Sequence, residues 1–174
     1  MMTPIISIVG KSKEGKTHLM EKLISELSSR GYKVATVKHH IHNDFQIDRE
    51  GKSTFRHAQA GAKEVSISSP TKFALIRKVD RELTLDEIIE RYFPEADIIL
   101  TEGYRKEDKP KIEVIDSMVS TTPLCQLDEL VLIVSDTEID TDVPQFRWNE
   151  VKAMVDLLEG EGFCHGSDNK EAPA

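Results

Sequence analysis

Residues 10–17 read Gly10-Lys11-Ser12-Lys13-Glu14-Gly15-Lys16-Thr17, a complete GxxxxGK[ST] phosphate loop. What surrounds it leaves few folds open. Ile5-Ile6-Ser7-Ile8-Val9 ahead of it is a short apolar run suited to a buried parallel strand. Residues 17–30 after it read as a helix with Leu19, Leu23, Ile24 and Leu27 on one stripe, and Gly31 is placed to stop it. Gly10 and Gly15 let the backbone fold back so that its N–H groups face phosphate oxygens. Lys16 would neutralise the β- and γ-phosphates, and Thr17 would ligate Mg²⁺. The helix N-terminus adds its partial positive charge. A chance Gly/Lys turn is the alternative, but strand, loop and helix in this order favour the phosphate reading.

Residues 33–37 form a second short strand, which completes a βαβ unit with an expected right-handed crossover. Residues 38–63 are polar and His-rich, a long functional loop entering a short helix near 53–60. Residues 64–68 and 72–76 flank Ser69-Pro70-Thr71 and predict a hairpin. Thr84-Leu85-Asp86-Glu87 is a capping box opening a helix to about Tyr92. Further buried strands are expected at 97–101, 111–115 and 130–134, and Asn149 is expected to cap a last helix carrying Val151, Met154, Val155 and Leu158. Strands alternating with helices predict an α/β fold of the three-layer phosphate-loop NTPase kind. Its sheet is mostly parallel, with helices on both faces and a β-hairpin insertion. Residues 1–164 are expected to make a single nucleotide-binding domain, and 165–174 a polar tail.

The chain has 174 residues, enough for one domain with a real core. Its net charge of −8 argues against broad nucleic-acid binding but not against a nucleotide in a locally basic pocket. No apolar run approaches the roughly 20 residues of a membrane span, and no secretion signal is expected. Cys125 and Cys164 lie far apart without metal-ligand spacing, so a reduced cytoplasmic setting is expected.

Ligands of such sheets bind beyond the carboxyl ends of the strands. Glu102 directly follows an apolar strand, as a Walker-B carboxylate does. It could hold Mg²⁺ through water or orient an attacking water. Gly103 would let the backbone approach a phosphate. Asp48 and Asp44 are candidates for a second Mg²⁺ carboxylate, with Asp48 preferred because Arg49-Glu50-Gly51-Lys52 looks like a turn beside the site. Lys38, Arg56 and His57 could complete a basic pocket for a polyanion. A mixed-charge surface is the alternative. His39, His40 and His42 with Asp44 raise a zinc reading, but zinc wants three or four convergent ligands, and one His-rich loop more often serves phosphate or substrate.

There is no NKxD motif. Asp136, at the end of the 130–134 strand, could accept two hydrogen bonds from guanine N1–H and N2–H, or could be a turn residue. Lys11 stands where the loops of dimerising ATPases carry a lysine that crosses to the partner's nucleotide. Those loops continue with two glycines, where Ser12 and Lys13 stand here. Lys13 would be uncomfortable if its φ were positive.

Taken in order, the loop 10–17, the segment 37–48, Gly51-Lys52, Arg56-His57 with Ala60-Gly61-Ala62, and Ile99-Leu100-Thr101-Glu102-Gly103-Tyr104-Arg105 resemble the molybdopterin-guanine dinucleotide biosynthesis protein B family. The resemblance spans about residues 4–160. It implies a GTP-binding, weakly hydrolysing, Mg²⁺-dependent homodimer that assists guanine nucleotide attachment to the molybdenum pterin cofactor beside a molybdopterin guanylyltransferase. By matched position it implies Lys16 and Thr17 on phosphate and Mg²⁺, Asp48 and Glu102 on Mg²⁺ and water, and His39, Arg56 and His57 lining the site. Three positions depart from the family pattern: Lys13 replaces a usual Gly, Ser53 an acid, and Ala58 a frequent basic residue.

Other functions stay open on the residues alone. The histidines motivate a metal-delivery GTPase. A phosphate loop also suits a small-molecule kinase, although the arginines form no clear lid. Lys13 and Ser53 support a scaffold with a vestigial nucleotide site.

Overall fold

The computed structural model describes residues 3–42 and 45–164. In chain order the elements are β1 (Ile5–Gly10), α1 (Lys13–Ser29), β2 (Val34–Lys38), α2 (Ser53–Gln59), β3 (Glu64–Ser68), β4 (Phe73–Arg77), α3 (Leu85–Tyr92), β5 (Ile98–Glu102), β6 (Lys111–Ile115), β7 (Leu130–Ser135), β8 (Gln145–Phe146) and α4 (Val151–Gly160). They divide into two compact units, Met1–His39 with Phe93–Ala174, and His40–Tyr92.

The first unit is built on a six-stranded sheet in the order β2-β5-β1-β6-β7-β8, with every pairing parallel. All five residues of β5 and of β6 are buried, which explains why these strands read as near-continuous apolar runs rather than as alternating ones. Ile6, Ile8, Leu100, Ile112, Val114, Leu132 and Val134 from alternate strand positions pack with Leu19, Leu23 and Leu27 of α1 and Met154, Val155 and Leu158 of α4. Arg30 ties these two helices together, donating to Glu26 and to Asp156 and Glu159 of the last helix at 2.6–2.9 Å. A smaller apolar cluster joins Ile115, Leu130, Ile133 and Ile139.

Helix α1 begins at Lys13, four residues earlier than the span 17–30 read from the sequence. Ser12 is its N-cap, with the hydroxyl accepting from Gly15 N–H at 3.2 Å. The helical start also removes the expected discomfort at Lys13, because among the described residues Tyr104 alone of the non-glycines has a positive φ. Gly31 (φ 89°) stops the helix as its spacing predicts. The last helix starts from Glu150 rather than Asn149, without a side-chain cap. The two-residue strand β8 carries too little periodicity to be read in advance.

The second unit holds the antiparallel hairpin β3–β4, closed by Ser69 N–H to Lys72 C=O at 2.8 Å, together with α2 and α3. The capping box forms as expected: Thr84 N–H donates to Glu87 at 3.0 Å, and Glu87 N–H to the Thr84 hydroxyl at 3.2 Å. No described helix is long and apolar enough to cross a membrane.

Candidate functional site

β1 ends at the phosphate loop, and its last residue cannot be anything but glycine. Gly10 has φ 146°, and a Cβ there would lie 2.4 Å from the Val114 carbonyl oxygen of neighbouring β6. Residues 11 and 12 turn the chain directly into α1, so Gly15, Lys16 and Thr17 all lie within the first turns of that helix, and Gly15 is not the fold-back glycine its spacing suggests: it is helical, with its N–H bonded to the Ser12 hydroxyl. Lys16 folds its side chain back over the loop and donates to Gly10 C=O at 2.9 Å and Ser12 C=O at 3.1 Å. Burial pushes its pKa below the ordinary lysine value. Glu102 acts in the opposite direction, while Lys38 and Lys13 add to the lowering. Lys11, Lys13 and Glu14 are exposed around the loop.

β5 lies directly beside β1, with Ile8 opposite Glu102. This register delivers the Glu102 carboxylate to the start of α1, where the Thr17 hydroxyl oxygen lies 3.5 Å from Oε2 and 3.4 Å from the Lys13 carbonyl oxygen, either of which can accept its proton. On its other side Glu102 faces Lys38 of β2, its register partner. Lys38 Nζ lies 3.0 Å from Oε1 and 3.2 Å from Oε2. Glu102 is 9% exposed, so this ammonium is the counter-charge of a nearly buried carboxylate. The hydroxyl of Thr17 and the carboxylate of Glu102 are hard oxygen donors at a helix N-terminus, a donor set suited to Mg²⁺.

Gly103 (φ 99°) and Tyr104 (φ 52°) then turn the chain sharply. A Cβ on Gly103 would stand 3.1 Å from the His39 Cβ. His39 N–H donates to Glu102 C=O at 2.9 Å, and its ring lies against Tyr104 with centroids 4.9 Å apart. Asp136 follows β7 at the same end of the sheet, two strands from β1, or about 10 Å. Both of its oxygens are held by Ser117, Oδ2 by the hydroxyl at 2.8 Å and Oδ1 by the N–H at 3.3 Å. The Ser117 hydroxyl, followed by its N–H, keeps the Asp136 pKa below the usual carboxylate value.

The first unit therefore brings together the loop 10–17, His39, Glu102 and Gly103, and holds Asp136 at the same end of the sheet, two strands from β1. Asp48, Arg56 and His57 belong to the second unit. There Asp48 Oδ1 accepts from Arg49 N–H at 2.8 Å and from the Thr54 hydroxyl at 3.0 Å, shaping the turn into α2. Arg56 and His57 stand in the last turn of that helix. The alternative acid Asp44 lies outside the described residues. Among the described residues no group of three or more His, Cys, Asp or Glu is placed to hold a metal ion.

Sequence reasoning missed Lys38 as the partner of Glu102, the Ser117 clamp on Asp136, and the Ser12 cap. The first two are made between segments 64 and 19 residues apart, and only the sheet order reveals them. The Ser12 cap was legible, since Ser stands three residues before Gly15, but the motif reading masked it. A groove of about 590 Å³ lined by Pro110, Leu130, Pro144, Leu157 and Phe163 opens at the amino ends of β6 and β7. That is the opposite end of the sheet from the loop.

The geometry is matched by kinship. Residues 5–136 match the family described as molybdopterin guanine dinucleotide synthesis protein B. The chain is 33% identical over 158 residues to a molybdopterin-guanine dinucleotide biosynthesis adapter protein of Haemophilus influenzae, covering 90% of this chain and 88% of that relative. It is 30% identical over 166 residues to the protein of that name in Escherichia coli, covering 90% and 92%. A crystal structure of molybdopterin-guanine biosynthesis protein B superposes with TM-score 0.71 at 31% identity, covering 90% of this chain and 97% of that one. The Bacillus subtilis MobB crystal structure superposes with TM-score 0.74 at 26% identity, covering 94% and 99%. A phosphate loop at the end of a central parallel strand, an acid on the adjacent strand and this extent of shared sequence lead to one conclusion: the chain belongs to the molybdopterin guanine dinucleotide synthesis protein B family.

Proposed function

We propose that this protein is an adapter of molybdopterin guanine dinucleotide biosynthesis that binds GTP with Mg²⁺ and hydrolyses it slowly. The observation that carries the nucleotide part is the placing of Glu102 beside Thr17, at 3.5 Å, at the mouth of a complete phosphate loop. In this reading the α1 N-terminus and Lys16 take the phosphates, the lysine exchanging its two carbonyl acceptors for phosphate oxygens. Thr17 and Glu102 would hold Mg²⁺, directly or through water, and bound Mg²⁺ would supply charge neutralisation across the β- and γ-phosphates. Asp48 is the proposed second acid, and Arg56 and His57 are proposed to face the ligand. Asp136 is the proposed guanine acceptor, pre-oriented by Ser117.

Neither residues 10–17 nor residues 101–104 contain an arginine or a glutamine. Slow turnover is part of the proposal, since these two segments supply neither an arginine finger nor a water-orienting glutamine and the proposal gives Arg56 and Arg105 no such role. The adapter role is supported by the H. influenzae and E. coli relatives, both of which are biosynthesis adapter proteins. A molybdopterin guanylyltransferase is the proposed partner. A homodimer is also proposed, with the exposed Ile67 and Phe73 on the β3–β4 hairpin as its candidate contacts.

The test is calorimetric titration of GTP and of ATP, each with Mg²⁺, into the wild type and Lys16→Ala. Saturable GTP binding that exceeds ATP binding and vanishes in the variant is expected. Equal or ATP-favoured binding overturns the guanine assignment. No binding of either nucleotide overturns the site.

A further inference from the structure

Lys38 and Glu102 meet beside the phosphate loop, and Lys16 and Lys13 add positive charge in the neighbourhood. Glu102 is nearly buried, and its two oxygens lie 3.0 and 3.2 Å from the same ammonium, Lys38 Nζ. The Thr17 hydroxyl oxygen lies 3.5 Å from Oε2 on the other side. Lys16 is close enough for its pKa to respond to Glu102, Lys38 and Lys13. A divalent cation approaching Thr17 and Glu102 thus meets a carboxylate whose charge is already answered, with further positive charge behind it. Lys38 has somewhere to go, since its side chain is 55% exposed on a flexible stem, whereas that of Glu102 is 11% exposed and fixed in the sheet.

We propose that Lys38 is the resting counter-ion of Glu102 and makes metal binding conditional on nucleotide. Without nucleotide, Lys38 satisfies the carboxylate and excludes the free cation by like-charge repulsion. When a metal–nucleotide complex arrives, the polyphosphate brings several negative charges. Lys38 then exchanges Glu102 for a phosphate oxygen and frees the carboxylate for the metal. The device spares the site the cost of a buried unpaired carboxylate in its ligand-free state. It also keeps the site clear of bare Mg²⁺. The inference rests on the reading of this site as a metal–nucleotide site, but its test does not require nucleotide.

The experiment is Mn²⁺ titration followed by electron paramagnetic resonance of the free ion. It uses the nucleotide-free wild type, Lys38→Met, Lys38→Arg, and Lys38→Met combined with Glu102→Gln. Thermal melts of every variant check that each is folded. Lys38→Met is expected to bind free Mn²⁺ at least about tenfold more tightly than the wild type. Lys38→Arg keeps the charge and should behave as the wild type, while the added Glu102→Gln change should abolish the gain. If Lys38→Met binds Mn²⁺ no better than the wild type, or if the gain survives Glu102→Gln, the proposal is overturned. Should Lys38→Met unfold, Lys38→Gln replaces it with the same expectation. A second arm titrates GTP with Mg²⁺. If no form binds nucleotide while Lys38→Met still gains Mn²⁺, the nucleotide reading fails and the counter-ion role of Lys38 stands.

Discussion

Gly10 and Val114 meet so closely that a methyl group at Gly10 would lie 2.4 Å from the Val114 carbonyl oxygen. The contact fixes where β1 stops being a strand. The sharp departure at φ 146° is what lets α1 begin at the sheet's carboxyl edge with its N-terminus facing outward. Gly10→Ala is expected to lose at least about 2 kcal/mol, from backbone strain and overpacking against an immovable strand. Urea denaturation would read it. A loss below about 0.5 kcal/mol would mean that the loop leaves β1 along another path.

Asp136 offers a different kind of test, because it concerns selectivity rather than stability. Guanine presents two adjacent donors that a carboxylate can accept together, and adenine does not. Asp136→Asn turns one of the acceptors into a donor. GTP affinity is expected to fall about tenfold or more while ATP affinity stays unchanged. Ser117→Ala should give a smaller effect in the same direction, since Ser117 holds both carboxylate oxygens. Equal losses for the two nucleotides would remove Asp136 from base recognition.

Lys111 is fully buried, and its ammonium donates to Glu107 C=O at 2.9 Å, Lys109 C=O at 3.0 Å and Glu129 Oε1 at 2.9 Å. The two carbonyl bonds pin the start of β6 to the segment arriving from β5, and the third ties it to the turn before β7. Lys111→Ala strands all three acceptors. The expected cost is about 3 kcal/mol, at the low end for breaking a buried pair because water reaches part of Glu129. Nucleotide affinity, measured on the folded fraction, should not change.

The capping box of α3 carries a pH signature. Arg81, then Thr84 N–H, hold the Glu87 carboxyl down to about 2. A carboxylate whose pKa is depressed in the folded state stabilises it above the unfolded value of about 4.3 and loses that contribution as pH falls toward the folded one. Stability of the second unit should therefore decline between about pH 4.5 and pH 2. Glu87→Gln should flatten that decline, as followed by circular dichroism and by the Glu87 side-chain NMR shift. An unchanged acid limb in the variant would assign the decline to other groups.

Elements with a local cause are legible along the chain. The run 5–9 is apolar without alternation because its strand is buried on both faces. Gly31 ends α1 because only glycine enters the left-handed region cheaply. Thr84 and Glu87 start α3 because each satisfies the other's backbone donor. The loop 10–17 and the acid at 102 were legible for the same reason, as motifs a few residues long. The remaining contacts come from the packing of distant segments. That packing set β5 between β1 and β2, so that Glu102 meets Thr17 on one side and Lys38 on the other. It brought Ser117 to Asp136 and buried Lys111 against Glu129. These are contacts between segments distant along the chain, and hydrophobic periodicity carries no information about which strand becomes the neighbour of which. That order is chosen by the packing of whole strands and helices, and with it the charge that sits beside the candidate metal carboxylate.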